Sequence, residues 1–442
     1  MKTYKKLKFV ELRELDFWDT KRYLNISDKN FKNNITLSDV LIPYKKKISK
    51  REMIEKKYAI ISKINFGGEL FLRDLNNIEN YKGDIYLVPD NSIIYSKINV
   101  KHGCIFYNDK GNTPFGVSSE YPIFTFDNTI VSGKFLQKLL RTQEFKKLLD
   151  TKATGISKAR VKQADFLATR VPLPPLSEQE TIVKNYYDKI TQATTYEQQA
   201  ETLEKNIENY LFESLGIEEL DKRKKIGLNI IESKRMERWD IPFLMGESSL
   251  KSKYSIHRMG EYIVEIATGT TPPTSRKEYF RGDINFYTPS DINNKILLNA
   301  DRKVSLLAVK DKKVRVFKKN TLLFVGIGST VGKVGIIGNE FATSNQQITG
   351  FNVDENMLLT EYVYYYFTYF KNVTTKEQTK ATLPIVNQEK IMNILIPIPP
   401  KETQQAIINQ IDTYKNEIKI LRERATLLKQ QAEQEFEQTI FS

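Results

Sequence analysis

Three stretches of the chain carry residue types that do chemistry elsewhere. Asp291, Asp311 and Lys313 follow the acid, acid-x-Lys order with which metal-dependent nucleases hold Mg²⁺ and steady an attacking water. The spacing is loose, and Asp311 sits inside VKDKKVRVFKK, which reads as a basic hairpin facing solvent or phosphate. GIGSTVGKVG, from Gly326 to Gly335, has the outline of a phosphate loop. That loop needs Gly five residues before its Gly-Lys pair and Ser or Thr after it. Ile327 and Val334 stand there, so the stretch reads as a β-hairpin turning on its glycines. An adenine-methylating site needs Asp or Asn before Pro-Pro-aromatic, but PLPPL and PIPP present apolar residues instead. There is no Gly-x-Ser-x-Gly elbow. Cys104, His102 and His257 are the only Cys and His residues, too few for a Cys/His zinc site or an intrachain disulfide. The chain is expected not to be an enzyme by itself, with no catalytic residue and no metal.

If the chain is not a catalyst, its charge points to a binder. The net charge of +14 is unevenly spread: +13 in residues 1–170, −5 in 171–216, +7 in 217–395 and −1 in 396–442. Two large basic segments alternate with two that are acidic or neutral, which suggests a polyanion partner. No apolar run reaches the ~18 residues of a membrane span, and the basic N-terminus lacks the apolar core of a signal peptide. A single cysteine fits the cytoplasm.

The elements that must position such a surface come in pairs. VPLPPLSEQETIV at Val171 returns as IPIPPKETQQAII at Ile396, with Gln179 and Ile182 repeated as Gln404 and Ile407. A helix follows each copy, with Ser177 and Glu180 suggesting a capping box for the first. Tyr186, Ala193, Ala200 and Ile207 recur at sevens, with Tyr196 and Leu203 in the other seam position and Lys189 as the exception. The second copy offers Ile411, Ile418 and Ala425 with Tyr414, Leu421 and Leu428. Gly216 ends the first helix. Each helix should run nearly forty residues, ~55–60 Å, and the two stripes are expected to bury each other.

The segments before the helices repeat more faintly. Trp18 and Trp239 both stand in WD. ITLSDVL (Ile35 to Leu41) parallels IHRMGEYI (Ile256 to Ile263), and NSIIYSKINVKHGCI from Asn91 parallels NTLLFVGIGSTVGKVGI from Asn320. Short β-branched and aromatic runs predict twisted sheet in both arms, with helices at SGKFLQKLLRTQEFKKLLD and TEYVYYYFTYFK.

Together these features resemble the specificity subunit of type I restriction–modification enzymes. VPLPPLSEQETIV resembles that family's junction of recognition domain and long helix. GTTPPTSRKEYFRGDINFYTPSDI (Gly269 to Ile292) and GIGSTVGKVGIIGNEFATSNQQITGF resemble its recognition domains. In the first arm GTTP has no counterpart. The resemblance implies an α+β chain with pseudo-two-fold layout: two similar target-recognition domains separated by two long antiparallel coiled-coil helices. Residues 1–174 and 217–398 would be the recognition domains, and 175–216 and 399–442 the helices. It implies that each domain reads one half of a bipartite site on double-stranded DNA. The helices would serve as spacer and as docking surface for methyltransferase subunits, two in number, with restriction/motor subunits joining them. S-adenosylmethionine, ATP and Mg²⁺ would be bound by those partners and not by this chain.

DNA contacts are expected from Lys97, Lys101, Thr154, Ser157, Lys158 and Arg160 in the first arm. In the second arm they are expected from Thr274, Ser275, Arg276, Ser329, Lys333, Lys376, Lys380 and Thr382. The residues themselves leave one alternative open, a coiled-coil scaffold with two basic protein-binding arms.

Overall fold

The computed structural model describes residues 34–73, 78, 81–98, 100–152, 160–217, 250–371 and 385–441. Trp18 and Trp239 lie outside the described residues. Chain compactness divides the molecule into two units, Met1–Glu197 with Arg422–Ser442, and Gln198–Leu421. Each unit therefore owns one arm and one portion of each long helix.

In the first unit, one antiparallel sheet has the order Ile42–Tyr44, Ile123–Thr125, Ser92–Tyr95, Ile105–Asn108. A second sheet has the order Lys47–Ile48, Ile85–Val88, Phe115–Val117, Ile60–Ile64, Leu70–Arg73, with one parallel pairing, between Phe115–Val117 and Ile60–Ile64. A ribbon pairs Asn34–Thr36 with Arg170–Pro172.

The second unit repeats this frame. Its first sheet is ordered Ile263–Thr268, Ile348–Val353, Leu322–Val325, Val334–Ile337, plus an added parallel strand, Ile296–Leu297. Its second is ordered Val316–Lys318, Phe341–Ser344, Ile284–Tyr287, Arg302–Val304, without a counterpart of the first arm's edge strand Lys47–Ile48, and its parallel pairing, between Phe341–Ser344 and Ile284–Tyr287, matches that of the first arm. The ribbon is Ile256–Arg258 with Leu395–Pro397.

The parallels read from sequence hold at the level of backbone geometry. Asn91 (φ 49°) and Asn320 (φ 66°) both stand in the left-handed region just before a hairpin, where Asn is among the residues that tolerate it. After each ribbon strand comes a 3-10 turn stitched by a carboxylate: Thr36 N to Asp39 at 2.8 Å, and Arg258 N to Glu261 at 3.0 Å.

GIGSTVGKVG is the hairpin expected, joining Leu322–Val325 to Val334–Ile337 with Gly328 and Gly332 at positive φ. Two other expectations are corrected. SGKFLQKLLRTQEFKKLLD forms two helices, Gly133–Leu139 and Gln143–Lys152. The Thr142 hydroxyl breaks it, donating to Leu139 O and accepting from Phe145 N. VKDKKVRVFKK is no hairpin: it is the end of helix Leu306–Lys310, a turn with Lys312 at φ 53°, and strand Val316–Lys318. Ser305 caps that helix on Ala308 N, a local start that the basic residues concealed.

The long helices span Leu176–Leu215 and Lys401–Phe441. The first starts earlier than a cap at Ser177 would allow. The Pro175 carbonyl accepts from Glu178 N and Gln179 N, which places Ser177 inside the first turn. Gly216 (φ 57°) ends it as expected, and Ile217 N reaches back to Phe212 O to close a Schellman-type cap.

The seam is buried. Ala193, Ala200, Ile207, Ile411, Ile418, Leu421 and Ala425 are inaccessible or nearly so, while Tyr186, Tyr196, Leu203, Tyr414 and Leu428 are half-buried. In the first unit the pairing is antiparallel: Tyr186 packs edge-on against Phe436 at 5.7 Å, and Glu197 meets Lys429 at 2.8 Å. Lys189, the exception in the stripe, is matched by Glu435. In the second unit Tyr210 meets Tyr414 edge-on at 6.2 Å. Ile182, Val183, Phe436 and Ile440 also enter the core of the first arm, so helix and arm share one apolar cluster.

Candidate nucleic-acid interface

The repeated glutamines sit at the joint between arm and helix. Gln179 is fully buried. Its amide nitrogen donates to Ile130 O (3.1 Å) and Pro174 O (2.8 Å), and its oxygen accepts from Ser132 N (2.9 Å). Gln404, also fully buried, donates to Met357 O and Pro399 O (both 2.9 Å) and accepts from Leu359 N (2.8 Å). Ser132 and Leu359 are the N-cap residues of the arm helices Gly133–Leu139 and Thr360–Tyr369. A primary amide supplies two donors and an acceptor at one point, which this three-way joint requires.

In each arm, loops from three matching strand ends converge on a cleft. In the second arm they follow Ile284–Tyr287, Leu322–Val325 and Phe341–Ser344, and they enclose about 660 Å³. The lining mixes apolar surface with polar groups: Thr288, Ser329, Thr330, Asn345 and Gln347, with Arg302 and Lys333 as cations and Asp301 as an acid. Asp291 organises this corner. Its carboxylate accepts from Thr288 N (2.7 Å), Thr288 Oγ1 (2.6 Å) and Asp301 N (2.9 Å). Asp311 instead accepts from Tyr279 OH at 2.8 Å. Each nuclease-like carboxylate therefore has a turn or a ring to hold, and no group of three metal-binding side chains occurs among the described residues. Gly269 passes so close to Ser344 and Asn345 that a Cβ would stand 2.2–2.5 Å from their atoms. Only glycine admits that approach.

In the first arm the matching loops follow Ile60–Ile64, Ser92–Tyr95 and Phe115–Val117. They enclose about 290 Å³, lined by Lys63, Asn65, Phe66, Ile98, Cys104 and Tyr121 among others. The same corner of the same frame is here smaller and largely apolar.

The comparisons with known proteins follow this geometry. Residues 254–430 match the family model described as "Type I restriction modification DNA specificity domain". The matched stretch covers most of the second arm and runs into the C-terminal long helix, so this part of the chain is similar to such a domain. Over 153 residues the chain is 33% identical to a type I restriction enzyme MjaIX specificity subunit of Methanocaldococcus jannaschii, covering 33% of this chain and 34% of that one. A putative type I restriction enzyme MjaX specificity subunit of the same organism is 22% identical over 269 residues, 61% of this chain and 57% of the relative. The aligned stretches thus span about a third and somewhat over half of those relatives.

The fold likeness is longer. A chain from a solved structure titled for complex assembly and conformational transition of the type I R-M system superposes with a TM-score of 0.61 at 15% identity, over 92% of this chain and 96% of that one. The HsdS subunit from Thermoanaerobacter tengcongensis gives 0.50 at 16% identity, over 93% and 96%. The chain therefore has the α+β fold of a type I specificity subunit: two similar arms, each with twisted sheets, and two long helices.

Of the contacts expected in the specificity domain, Ser329 and Lys333 line the cleft, and Lys333 donates to Asn293 at 3.2 Å. Thr274, Ser275 and Arg276 are exposed outside that lining. Arg276 lies against Tyr279, donating to its hydroxyl at 3.1 Å. Lys376, Lys380 and Thr382 lie outside the described residues, as do Thr154, Ser157 and Lys158 of the first arm. Lys97 and Arg160 come together around one loop: Lys97 donates to Ser119 O (2.7 Å) and Arg160 pairs with Glu120 (3.2 Å). Lys101 stands apart, paired with Asp150 at 2.6 Å. Arg302, Asn345, Gln347 and Phe66 were missed by sequence reasoning. Asn345 and Gln347 carried a signal, a polar SNQQ run directly after a strand.

Each unit also has a partly buried cation where its arm meets a long helix. Lys138 lies 4.1 Å from the Tyr186 ring centre and pairs with Glu433, and burial holds its ammonium below the usual lysine range. Lys295 pairs with Asp412 (2.9 Å) and Glu361 (2.6 Å). Burial there works against the charge, but the two carboxylates outweigh it and raise its pKa.

Proposed function

We propose that this chain is the sequence-specific DNA-binding subunit of a type I restriction–modification complex. Each arm reads one half of a bipartite site on double-stranded DNA. The long helices act as spacer and as docking surface for two methyltransferase subunits, which restriction/motor subunits join. On this reading the chain works in the cytoplasm and has no catalytic step of its own. S-adenosylmethionine, ATP and Mg²⁺ serve the partner subunits.

The observation that carries the reading is one frame built twice, with a cleft at the same corner of each copy and different side chains lining it. Two readers with one architecture and two lining chemistries suit a site whose halves differ in sequence. The net charge of +14 suits a polyanion.

The test is a salt series on duplex DNA, followed by mapping of N6-methyladenine in cells that carry the chain and its methyltransferase partners. Binding should weaken steeply with salt, with a log–log slope near about −0.9 per phosphate contacted. Methylation should fall on a two-part sequence. A flat salt response with no sequence preference would favour the scaffold with two basic protein-binding arms.

A further inference from the structure

The corner of the first arm carries an aromatic ring that the fold holds out to solvent. Phe66 is 59% exposed, at the lip of the apolar cleft. Its turn is tightly built. Asn65 Nδ2 donates to Glu69 (2.7 Å), Glu69 N donates back to Asn65 Oδ1 (2.8 Å), and Gly68 N closes on Asn65 O (3.0 Å). Beneath the turn Arg141 donates to Gly67 O, and Gly68, at φ +81°, leaves room for the guanidinium where a Cβ would stand 2.7 Å from it. The ring also leans on His102, 4.9 Å between centroids. Exposure of Phe66 is thus imposed by a rigid support.

Lys63 lines the cleft beside this apolar spot, and its charge, with those of Arg141 beneath the turn and Lys146, reaches the Cys104 thiol, although burial outweighs them and raises its pKa. The Glu69 carboxylate is held in the same turn by Asn65. Apolar contact surface beside positive charge fits a base edge next to a phosphate. Among base edges in the major groove, only thymine offers a methyl group.

We propose that the first arm's corner recognises the C5-methyl group of a thymine, with Phe66 as the specificity-determining contact and the neighbouring cations on the DNA backbone. This inference rests on the DNA-reading function proposed above. The corresponding corner of the second arm, lined by hydroxyls, amides, Arg302 and Lys333, reads hydrogen-bonding groups instead.

The test uses the full chain with its methyltransferase partners, once the half-site has been fixed by methylation mapping. Each thymine of the first half-site is replaced singly by uracil, which removes the methyl alone. One replacement should weaken wild-type binding roughly fourfold, the worth of burying one methyl-sized group. Phe66→Ser should bind the thymine duplex about as weakly and be indifferent to that uracil. Phe66→Leu, still apolar, should behave as wild type. The proposal is overturned if no uracil in the first half-site matters, if Phe66→Ser keeps the uracil response, or if Phe66→Leu fails as Phe66→Ser does, which would assign the ring to stacking. If wild-type protein shows no sequence preference at all, the DNA-reading function falls instead.

Discussion

The two arms share a frame and differ at one corner. Apart from one extra edge strand in each arm, Lys47–Ile48 in the first and Ile296–Leu297 in the second, the strand order is shared, as are the parallel pairing, the Asn at positive φ, the carboxylate-stitched turn and the three-way glutamine joint. The corners differ in size, about 290 against about 660 Å³, and in lining, largely apolar against mixed polar and apolar. Frame positions answer to backbone geometry that few residues satisfy: a left-handed φ, an orphan N–H at a helix start. Most corner positions lie on loops outside the buried clusters, although Ile64 and Cys104 of the first corner belong to one. A duplicated chain can therefore keep one architecture and carry two binding chemistries.

The strongest way to break the frame is through the seam. Ala200→Glu or Ala425→Glu places a carboxylate at a position with no exposure. The cost of such an unpaired buried charge is about 3–5 kcal/mol, and both variants should lose cooperative thermal unfolding or complex assembly. Leu203→Glu, at a half-buried position, should cost less. Equal effects at both kinds of site would mean that burial in the seam does not set the cost.

Next comes Gly269→Ala. The new methyl meets Ser344 and Asn345 within 2.5 Å, which forces the second corner to reshape at about 1–3 kcal/mol. Methylation mapping should show the second half-site relaxed and the first unchanged. Gly67→Ala in the first arm meets only the Asn65 side chain, at 3.1 Å, and should be tolerated.

Gln179→Ala and Gln404→Ala should each cost about 1–3 kcal/mol, because each leaves a helix-start N–H and two carbonyls without their partner. Denaturant unfolding should give similar losses for the two. A large difference would show that the joints are not equivalent.

The smallest effects are at the partly buried cations. Lys295→Met should destabilise by about 1 kcal/mol, since two carboxylates lose their counter-ion. Its raised pKa means that this stabilisation is present below the usual lysine value and fades as pH rises through the raised one. Lys138→Met should be near neutral, because burial already disfavours that charge and Glu433 remains half-exposed. Thermal shifts at neutral pH compare the two.

What could be read from the sequence follows the same division. The seam was legible because a heptad stripe is local and periodic, and Gln179 with Gln404 announced themselves by repetition. The split at Thr142 was not, since one hydroxyl among helix-favouring neighbours leaves no periodic trace. The corners were legible only in part. Ser329 and Lys333 stood on a visible Gly-rich hairpin, but Arg302, Asn345 and Phe66 reach their clefts through a strand order that joins distant segments. Lys101 shows what the sequence could not give, the partner of a basic residue: its charge is matched by Asp150, far away in the chain.

The central claim is that each arm reads its own half-site. The most direct test exchanges residues 217–395 for the corresponding arm of a relative, in cells that carry the methyltransferase partners, and maps N6-methyladenine. The account predicts that one half of the methylated sequence changes and the other stays as it was. Simultaneous change of both halves, or of neither, would contradict it.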